Sequence, residues 1–99
     1  MDNDDLMNIC LETILDNVFY SVALEIYGVT MDSLGLCQTI ANNESFDFVS
    51  LYLRLKEGEL VCIGDFGSKY LDRLHEISNT LSLKYELPIF CYHDKALAK

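Results

Sequence analysis

The chain has 99 residues, of which 51% are hydrophobic and 23% charged, and its formal net charge at pH 7 is −9. A chain of this size and composition forms one domain with a buried core, so we assign residues 1–99 to a single domain. No apolar run approaches the roughly 18 residues of a membrane-spanning helix. The first residues are acidic where a secretory signal is basic. The sequence therefore predicts a soluble, cytoplasmic protein.

The acidic side chains are concentrated in the first half of the chain. Residues 1–53 hold nine Asp and Glu and no Lys or Arg, whereas residues 54–99 hold seven acidic and seven basic residues. A negative surface repels nucleic acids and anionic membranes and attracts basic proteins. Acidity also keeps small proteins soluble, so the charge has two explanations. The absence of any base over 53 residues is the feature that favours a binding surface.

The first predicted element is a helix from Asp4 to Tyr27. Apolar residues with helical spacing are Leu6, Cys10, Ile14 and Val18, with Leu11, Leu15 and Val22 beside them. Gly28 suits the left-handed residue that often ends a helix. Two alternatives stay open, a helix that ends near Asn17 and a strand over residues 18–27, where β-branched and aromatic residues are frequent.

A second, shorter helix is predicted from Met31 to about Ala41, although Gly35 is a poor helix former. Residues 42–45, Asn-Asn-Glu-Ser, are typical of a loop. From Phe46 to Leu55 apolar and polar residues alternate, which is the period of a half-buried strand. A hairpin turn over residues 56–59 follows, with Gly58 at the position that needs positive φ, and then a return strand over residues 60–64.

The last part of the chain predicts a third helix and a short strand. Ser68 is placed to cap a helix from Lys69 to about Leu83. The predicted buried stripe of this helix is Tyr70, Leu71, Leu74, Ile77 or Ser78, and Leu81. Residues 89–92 form the final strand, after Pro88. The predicted fold is α+β, in the order α-α-β-β-α-β, with the helices on one face of a small, mainly antiparallel sheet.

The string Ile-Gly-Asp-Phe-Gly at residues 63–67 matches the segment of protein kinases that carries a magnesium-binding aspartate. A kinase also needs a Gly-rich loop and a catalytic His-Arg-Asp segment, and both are absent from this chain. Two glycines around Asp65 are typical of a tight turn. We therefore interpret the string as a turn that joins a strand to a helix.

The remaining polar and thiol residues predict neither a metal site nor a catalytic site. Cys10, Cys37, Cys62 and Cys91 lack the spacing of zinc ligands and are expected to be buried free thiols. His93 and Asp94 have the chemistry of a base and its orienter, but the sequence places no nucleophile or oxyanion donor with them, so we interpret them as a solvated chain end. We therefore expect no metal, no cofactor and no enzymatic activity.

These observations predict a small inhibitor that blocks a basic, nucleic-acid-handling protein by charge and shape complementarity. One setting is an immunity protein in the cleft of a toxin nuclease, and another is a phage-type mimic of nucleic acid acting on a defence complex. Carboxylates would stand where phosphates lie, and tyrosines would anchor the complex. The predicted contact residues are Glu12, Asp16, Tyr20, Glu25, Tyr27, Asp32, Glu44 and Asp47.

The alternative is a structural subunit or assembly chaperone that forms a hydrophobic hetero- or homodimer. Its signature would be an exposed apolar helix face or strand edge, and the apolar run over residues 18–27 is a candidate. In both interpretations the partner is a protein, and neither nucleic acid nor membrane is bound directly.

Overall fold

The computed structural model describes residues 7–31, 37–39 and 46–92. They form one sheet and two α-helices. The strands are β1 (Met7–Ile9), β2 (Ser21–Met31), β3 (Cys37–Thr39), β4 (Phe48–Leu55), β5 (Leu60–Phe66) and β6 (Ile89–Tyr92). The α-helices are α1 (Leu11–Asn17) and α2 (Leu71–Tyr85), and 3-10 turns at Val18–Tyr20 and Ser68–Tyr70 adjoin them.

The strand order is β1-β5-β4-β2-β3, and these neighbours are antiparallel. β2 is the central strand, since β4 pairs along one of its edges while β3 and β6 share the other. β6 runs parallel to β2, with Leu24 opposite Ile89 and Tyr27 opposite Tyr92. Two parallel neighbouring strands must be joined by a crossover connection. Helix α2 lies between β2 and β6 in sequence and is part of this connection.

The core lies between one face of the sheet and both helices. Alternate residues of β4, namely Val49, Leu51 and Leu53, are fully buried on this face. The rest of the core cluster is Ile14, Val18, Leu24, Ile26, Phe46, Ile63, Phe66, Leu71, Leu74 and Leu87. Side chains of α1 and α2 thus join the same cluster. The predicted α+β fold, with its helices on one face of a mainly antiparallel sheet, is confirmed.

The predicted first helix, however, is wrong at both ends, because residues 7–9 form β1 and residues 21–27 belong to β2. The helix ends at Asn17, one 3-10 turn follows, and an 11-residue strand begins at Ser21. The buried residues change from a helical spacing at Ile14 and Val18 to alternation at Leu24 and Ile26. Pairing with β4 on one edge and with β6 on the other satisfies the backbone of this segment and outweighs its helical pattern. The alternative of a helix that ends near Asn17 is therefore correct, and the strand alternative is correct from Ser21 onward.

Gly28 does not end a helix; it lies inside β2. A Cβ atom at Gly28 would lie 3.0 Å from Cβ of the buried Phe46, so the missing side chain permits a close approach. The predicted second helix is also wrong where it is described, because Met31 and Cys37–Thr39 are paired strands. Its other residues, and the predicted loop at residues 42–45, lie outside the described residues.

The second half of the chain follows its prediction at the hairpin and at β6, but the predicted turn over residues 64–67 and the predicted Ser68 cap are wrong. Gly58 has φ +100° in the hairpin turn, and β6 forms where expected. β5 continues through Asp65 to Phe66, so the kinase-like string is mostly strand, and the chain turns at Gly67. Ser68 makes no side-chain capping hydrogen bond, and α2 begins only at Leu71 after a 3-10 turn.

Candidate functional site

The outer side of α1 and its 3-10 turn carries two adjacent rows of exposed side chains. One row is apolar, with Leu11 65%, Leu15 56% and Phe19 75% exposed. The other row holds the exposed carboxylates Glu12 and Asp16 and then Tyr20. Residues four apart on a helix lie next to one another, with Cβ atoms about 5–6 Å apart. We call these six residues the α1 surface.

The α1 surface is held in place from its inner side. Ile14 and Val18 are each 3% exposed and pack into the core, so the opposite side of the helix must face outward. At the start of the helix, the Cys10 N–H donates to the Ile63 carbonyl at 2.9 Å. At its end, the Ser21 hydroxyl donates to the Val18 carbonyl at 2.5 Å. The rows therefore sit on a segment anchored at both ends.

The far end of the apolar row meets the C-terminal end of α2. The ring of Phe19 makes an edge-to-face contact with Tyr85, with centroids 6.1 Å apart. The Lys84 ammonium lies 5.4 Å from the centroid of Tyr85. On the other side, the Lys56 N–H of the β4–β5 turn donates to the Tyr20 carbonyl at 2.9 Å. The segments that contact the end of the α1 surface thus each carry a basic residue, Lys84 in α2 and Lys56 in the β4–β5 turn.

A groove of about 290 Å³ separates α1 from α2. Its lining residues are Ile9, Leu11, Ile14, Arg73, Glu76, Ile77, Thr80 and Leu81. Five of these are apolar, and Leu11 belongs both to the groove and to the apolar row of the α1 surface. Arg73 and Glu76 form an ion pair at 3.0 Å on the α2 wall. The groove and the α1 surface thus form one continuous, largely apolar region.

Glu25 lies on the opposite face of the sheet and is engaged within the protein. Arg54 donates to its carboxylate through Nε at 2.5 Å and Nη2 at 2.9 Å, and the Tyr27 hydroxyl donates at 2.5 Å. The Arg54 hydrogen bonds lower the pKa of Glu25 against the opposing effect of burial. Burial and the Glu25 carboxylate raise the pKa of Tyr27 to about 12. The charged Glu25 carboxylate is therefore paired with Arg54 inside the protein, and its role in this fold is structural.

Tyrosine rings surround this ion pair. Tyr27 stacks on Tyr92 with centroids 4.9 Å apart and meets Tyr52 edge to face at 5.6 Å. The three rings join β2, β4 and β6 across the face that is remote from the helices. Their contacts with one another explain why Tyr27 is half-buried. Tyr27 is thus part of a packed cluster, unlike the exposed Tyr20.

The eight predicted contact residues do not form one surface. Glu12, Asp16 and Tyr20 lie together on the α1 surface, whereas Glu25 and Tyr27 lie on the opposite sheet face. Asp47 accepts a hydrogen bond from the Thr30 hydroxyl at 3.2 Å. Asp32 and Glu44 lie outside the described residues. Glu25 does not share a helix with Glu12 and Asp16, because the strand β2 begins at Ser21.

Sequence reasoning missed Leu11, Leu15 and Phe19 as candidate contact residues. Leu11 and Leu15 were placed beside the apolar stripe of a longer predicted helix. The short helix buries only Ile14 and Val18. A useful signal was present in the i, i+4 spacing of both rows, but the sequence did not indicate which row faces solvent.

The thiols and Asp65 form no described catalytic or metal site. Asp65 accepts a 2.5 Å hydrogen bond from the Ser50 hydroxyl. Cys10, Cys62 and Cys91 are thiols that form no disulfide, and they are exposed, so the expectation of burial is wrong for them. Cys37 lies in β3, and its side chain is not described. Among the described residues, no group of three His, Cys, Asp or Glu side chains is arranged to hold a metal ion.

Within the described residues, no helix is long and apolar enough to cross a membrane. Searches against models of protein families, curated proteins and solved structures find no match to this chain.

Proposed function

We propose that this protein is a small, non-catalytic cytoplasmic inhibitor that binds a basic protein through the α1 surface. The observation that supports the proposal most directly is the apolar row of Leu11, Leu15 and Phe19 beside the carboxylates of Glu12 and Asp16. All three apolar side chains are more than half exposed. Contiguous exposed apolar side chains rimmed by polar residues mark protein interaction sites.

The apolar row supplies the affinity of the proposed complex. Phe19 and Tyr20 are exposed aromatic residues on a segment anchored to the core, and rigid aromatic side chains are common binding hot spots. Little backbone ordering is needed when they dock, because both ends of α1 are already hydrogen-bonded. A preorganised surface loses less entropy on binding.

The carboxylates supply the preference for a basic partner. Glu12 and Asp16 lie one helical turn apart and are exposed, and the whole chain carries a net charge of −9. Charges of this kind accelerate the encounter with an oppositely charged protein and disfavour acidic competitors. Glu25 contributes nothing to this preference, since Arg54 neutralises it.

A basic partner that is blocked by an acidic protein is most readily a nucleic-acid-handling protein, whose own ligand is a polyanion. An immunity protein for a toxin nuclease and a phage-type mimic directed at a defence complex both fit the proposal. In either setting the two carboxylates occupy positions that phosphates take in the partner's cleft, and Phe19 fills an adjoining apolar pocket.

The proposal is tested by capture from a host extract with a set of matched variants. Phe19→Ala and the double variant Glu12→Lys with Asp16→Lys should each lose a basic partner that the wild type retains. Leu83→Ala is the apolar control, because Leu83 is 84% exposed on α2. Glu86→Lys is a charge control at an exposed position beyond α2. A partner that is acidic, or is retained equally by all variants, contradicts the proposal.

The second candidate is an assembly subunit with a hydrophobic interface, and the same exposed apolar row supports it. Ionic strength separates the two candidates. Association with a charge-steered partner slows as salt rises, so the on-rate measured by surface plasmon resonance should fall steeply for the inhibitor. An on-rate that is constant with salt, together with loss of binding in Phe19→Ala alone, would favour the assembly subunit.

A further inference from the structure

We propose that the groove between α1 and α2 receives an apolar side chain from a basic amphipathic helix of the partner. This inference rests on the proposed function and extends it by naming the chemistry and secondary structure of the segment that docks. The groove lies directly beside the α1 surface and shares Leu11 with it, so one ligand can contact both.

The size and apolar lining of the groove suit one or two side chains of a partner. Its volume of about 290 Å³ is at the lower limit of ligand pockets, which span roughly 300–1,000 Å³. Ile9 and Ile14 line it from the β1–α1 side, and Ile77 and Leu81 line it from α2. These four branched side chains form an apolar binding site for one or two aliphatic or aromatic side chains of a partner.

The spacing of the surrounding apolar residues suits a helix. Leu11, Leu15 and Phe19 follow one another at intervals of about one helical turn. An amphipathic helix presents its own apolar residues at intervals of three or four, and this pattern docks into grooves between helices. A docked helix can therefore place one apolar residue in the groove and the next against the apolar row of the α1 surface.

The charges around the groove select the polar face of that helix. Arg73 and Glu76 balance one another at 3.0 Å in the wall of the groove. The acidic excess comes from Glu12 and Asp16, which do not line the groove but lie beyond the apolar row of the α1 surface, within reach of a helix that covers both. Both residues of the Arg73–Glu76 pair are largely exposed, and such a pair is weak and open to exchange. Lysines or arginines flanking the apolar stripe of the docked helix would therefore be paired, while glutamates would be repelled.

The direct test uses a fluorescein-labelled peptide of about 14 residues, near the length at which helices form in water, built from Leu and Lys at amphipathic spacing. Its anisotropy is measured with the wild-type protein and with Thr80→Phe, which fills the groove from an exposed position on α2. Asn79→Phe is the matched control, since Asn79 is the exposed neighbour that does not line the groove. Circular dichroism checks that each variant is folded.

We expect Thr80→Phe to weaken peptide binding by about tenfold or more, as removal of one apolar contact of about 1.4 kcal/mol would do, and Asn79→Phe to leave it unchanged. A peptide of the same composition in scrambled order should bind more weakly, and one with Glu in place of Lys should not bind. If the scrambled peptide binds as tightly as the amphipathic one, or if Thr80→Phe binds the peptide as tightly as the wild type, the inference is overturned. The binding would then be charge attraction alone. Equal binding of the Glu peptide overturns the basic specificity.

A second measurement holds even if Thr80→Phe does not fold. In wild-type protein labelled at isoleucine δ1 methyl groups, the amphipathic Lys peptide should shift the signals of Ile9, Ile14 and Ile77 and leave that of the core residue Ile63 in place. Shifts confined to other isoleucines would overturn the inference. The proposed function is judged separately: a captured partner that depends on Phe19 but binds Thr80→Phe normally supports the α1 surface and refutes the groove.

Discussion

The exposure of Phe19 can be tested by replacing it with alanine and comparing the loss of stability with that of the same substitution at the buried Phe66. Phe19 is 75% exposed, whereas Phe66 is 0% exposed in the core. A phenylalanine buries about 200 Å² when it is fully enclosed. Phe19 therefore hides about 50 Å², which at about 25 cal/mol per Å² corresponds to about 1 kcal/mol.

We therefore expect Phe19→Ala to lower the free energy of unfolding by no more than about 1 kcal/mol, and Phe66→Ala to lower it by about 3–5 kcal/mol. The chain contains no tryptophan, so urea unfolding is followed by far-ultraviolet circular dichroism and tyrosine fluorescence. In a complex, the remaining ~150 Å² of Phe19 sets an upper limit of about 4 kcal/mol on its contribution to binding.

The outcome that refutes this reasoning is a Phe19→Ala variant as destabilised as Phe66→Ala. Phe19 would then be buried in the isolated protein, and the α1 surface would not be available to a partner. A small loss of stability with a large loss of partner binding separates the two roles of the residue, which are packing and recognition.

Three further predictions concern a charge, the thiols and a glycine. Arg54 holds the pKa of Glu25 below its ordinary value near 4.5. The stability from this ion pair is therefore present above that pH and is lost as the pH falls through the lowered pKa. In Glu25→Gln the melting temperature should fall less steeply with decreasing pH than in the wild type, and an unchanged pH dependence would contradict this. Cys10 should react with iodoacetamide before Cys62. The Thr13 hydroxyl lowers the pKa of Cys10, whereas desolvation and the nearby Asp65 raise the pKa of Cys62 to about 11. Mass spectrometry of digests gives the order of alkylation, and the reverse order would contradict these environments. Gly28→Ala should lower the urea midpoint, with a loss of about 1–3 kcal/mol from overpacking in a strand; a gain in stability would show that the neighbouring ring yields freely.

Several elements were predictable from the sequence because their signals are local. The β4–β5 hairpin follows from strict alternation in β4 and from Gly58, whose positive φ the turn requires. The buried stripe of α2 follows from its helical period, with Leu71 and Leu74 in the core as expected. The acidity of the first half is a plain count of residues. Such patterns depend on neighbours a few positions away, and tertiary contacts did not override them.

Tertiary contacts decided the secondary structure of residues 18–27, the segment on which the composition of the candidate site depends most. Residues 18–27 carry both a helical and a strand pattern, and pairing of β2 with β4 and β6 selected the strand. That choice moved Glu25 to the far face, where its partner Arg54 is 29 residues away in sequence. It also shortened α1 so that Ile14 and Val18 alone are buried, leaving Leu11, Leu15 and Phe19 exposed beside the carboxylates. Composition determined that the protein is acidic, but only long-range pairing decided which carboxylates remain free to meet a partner.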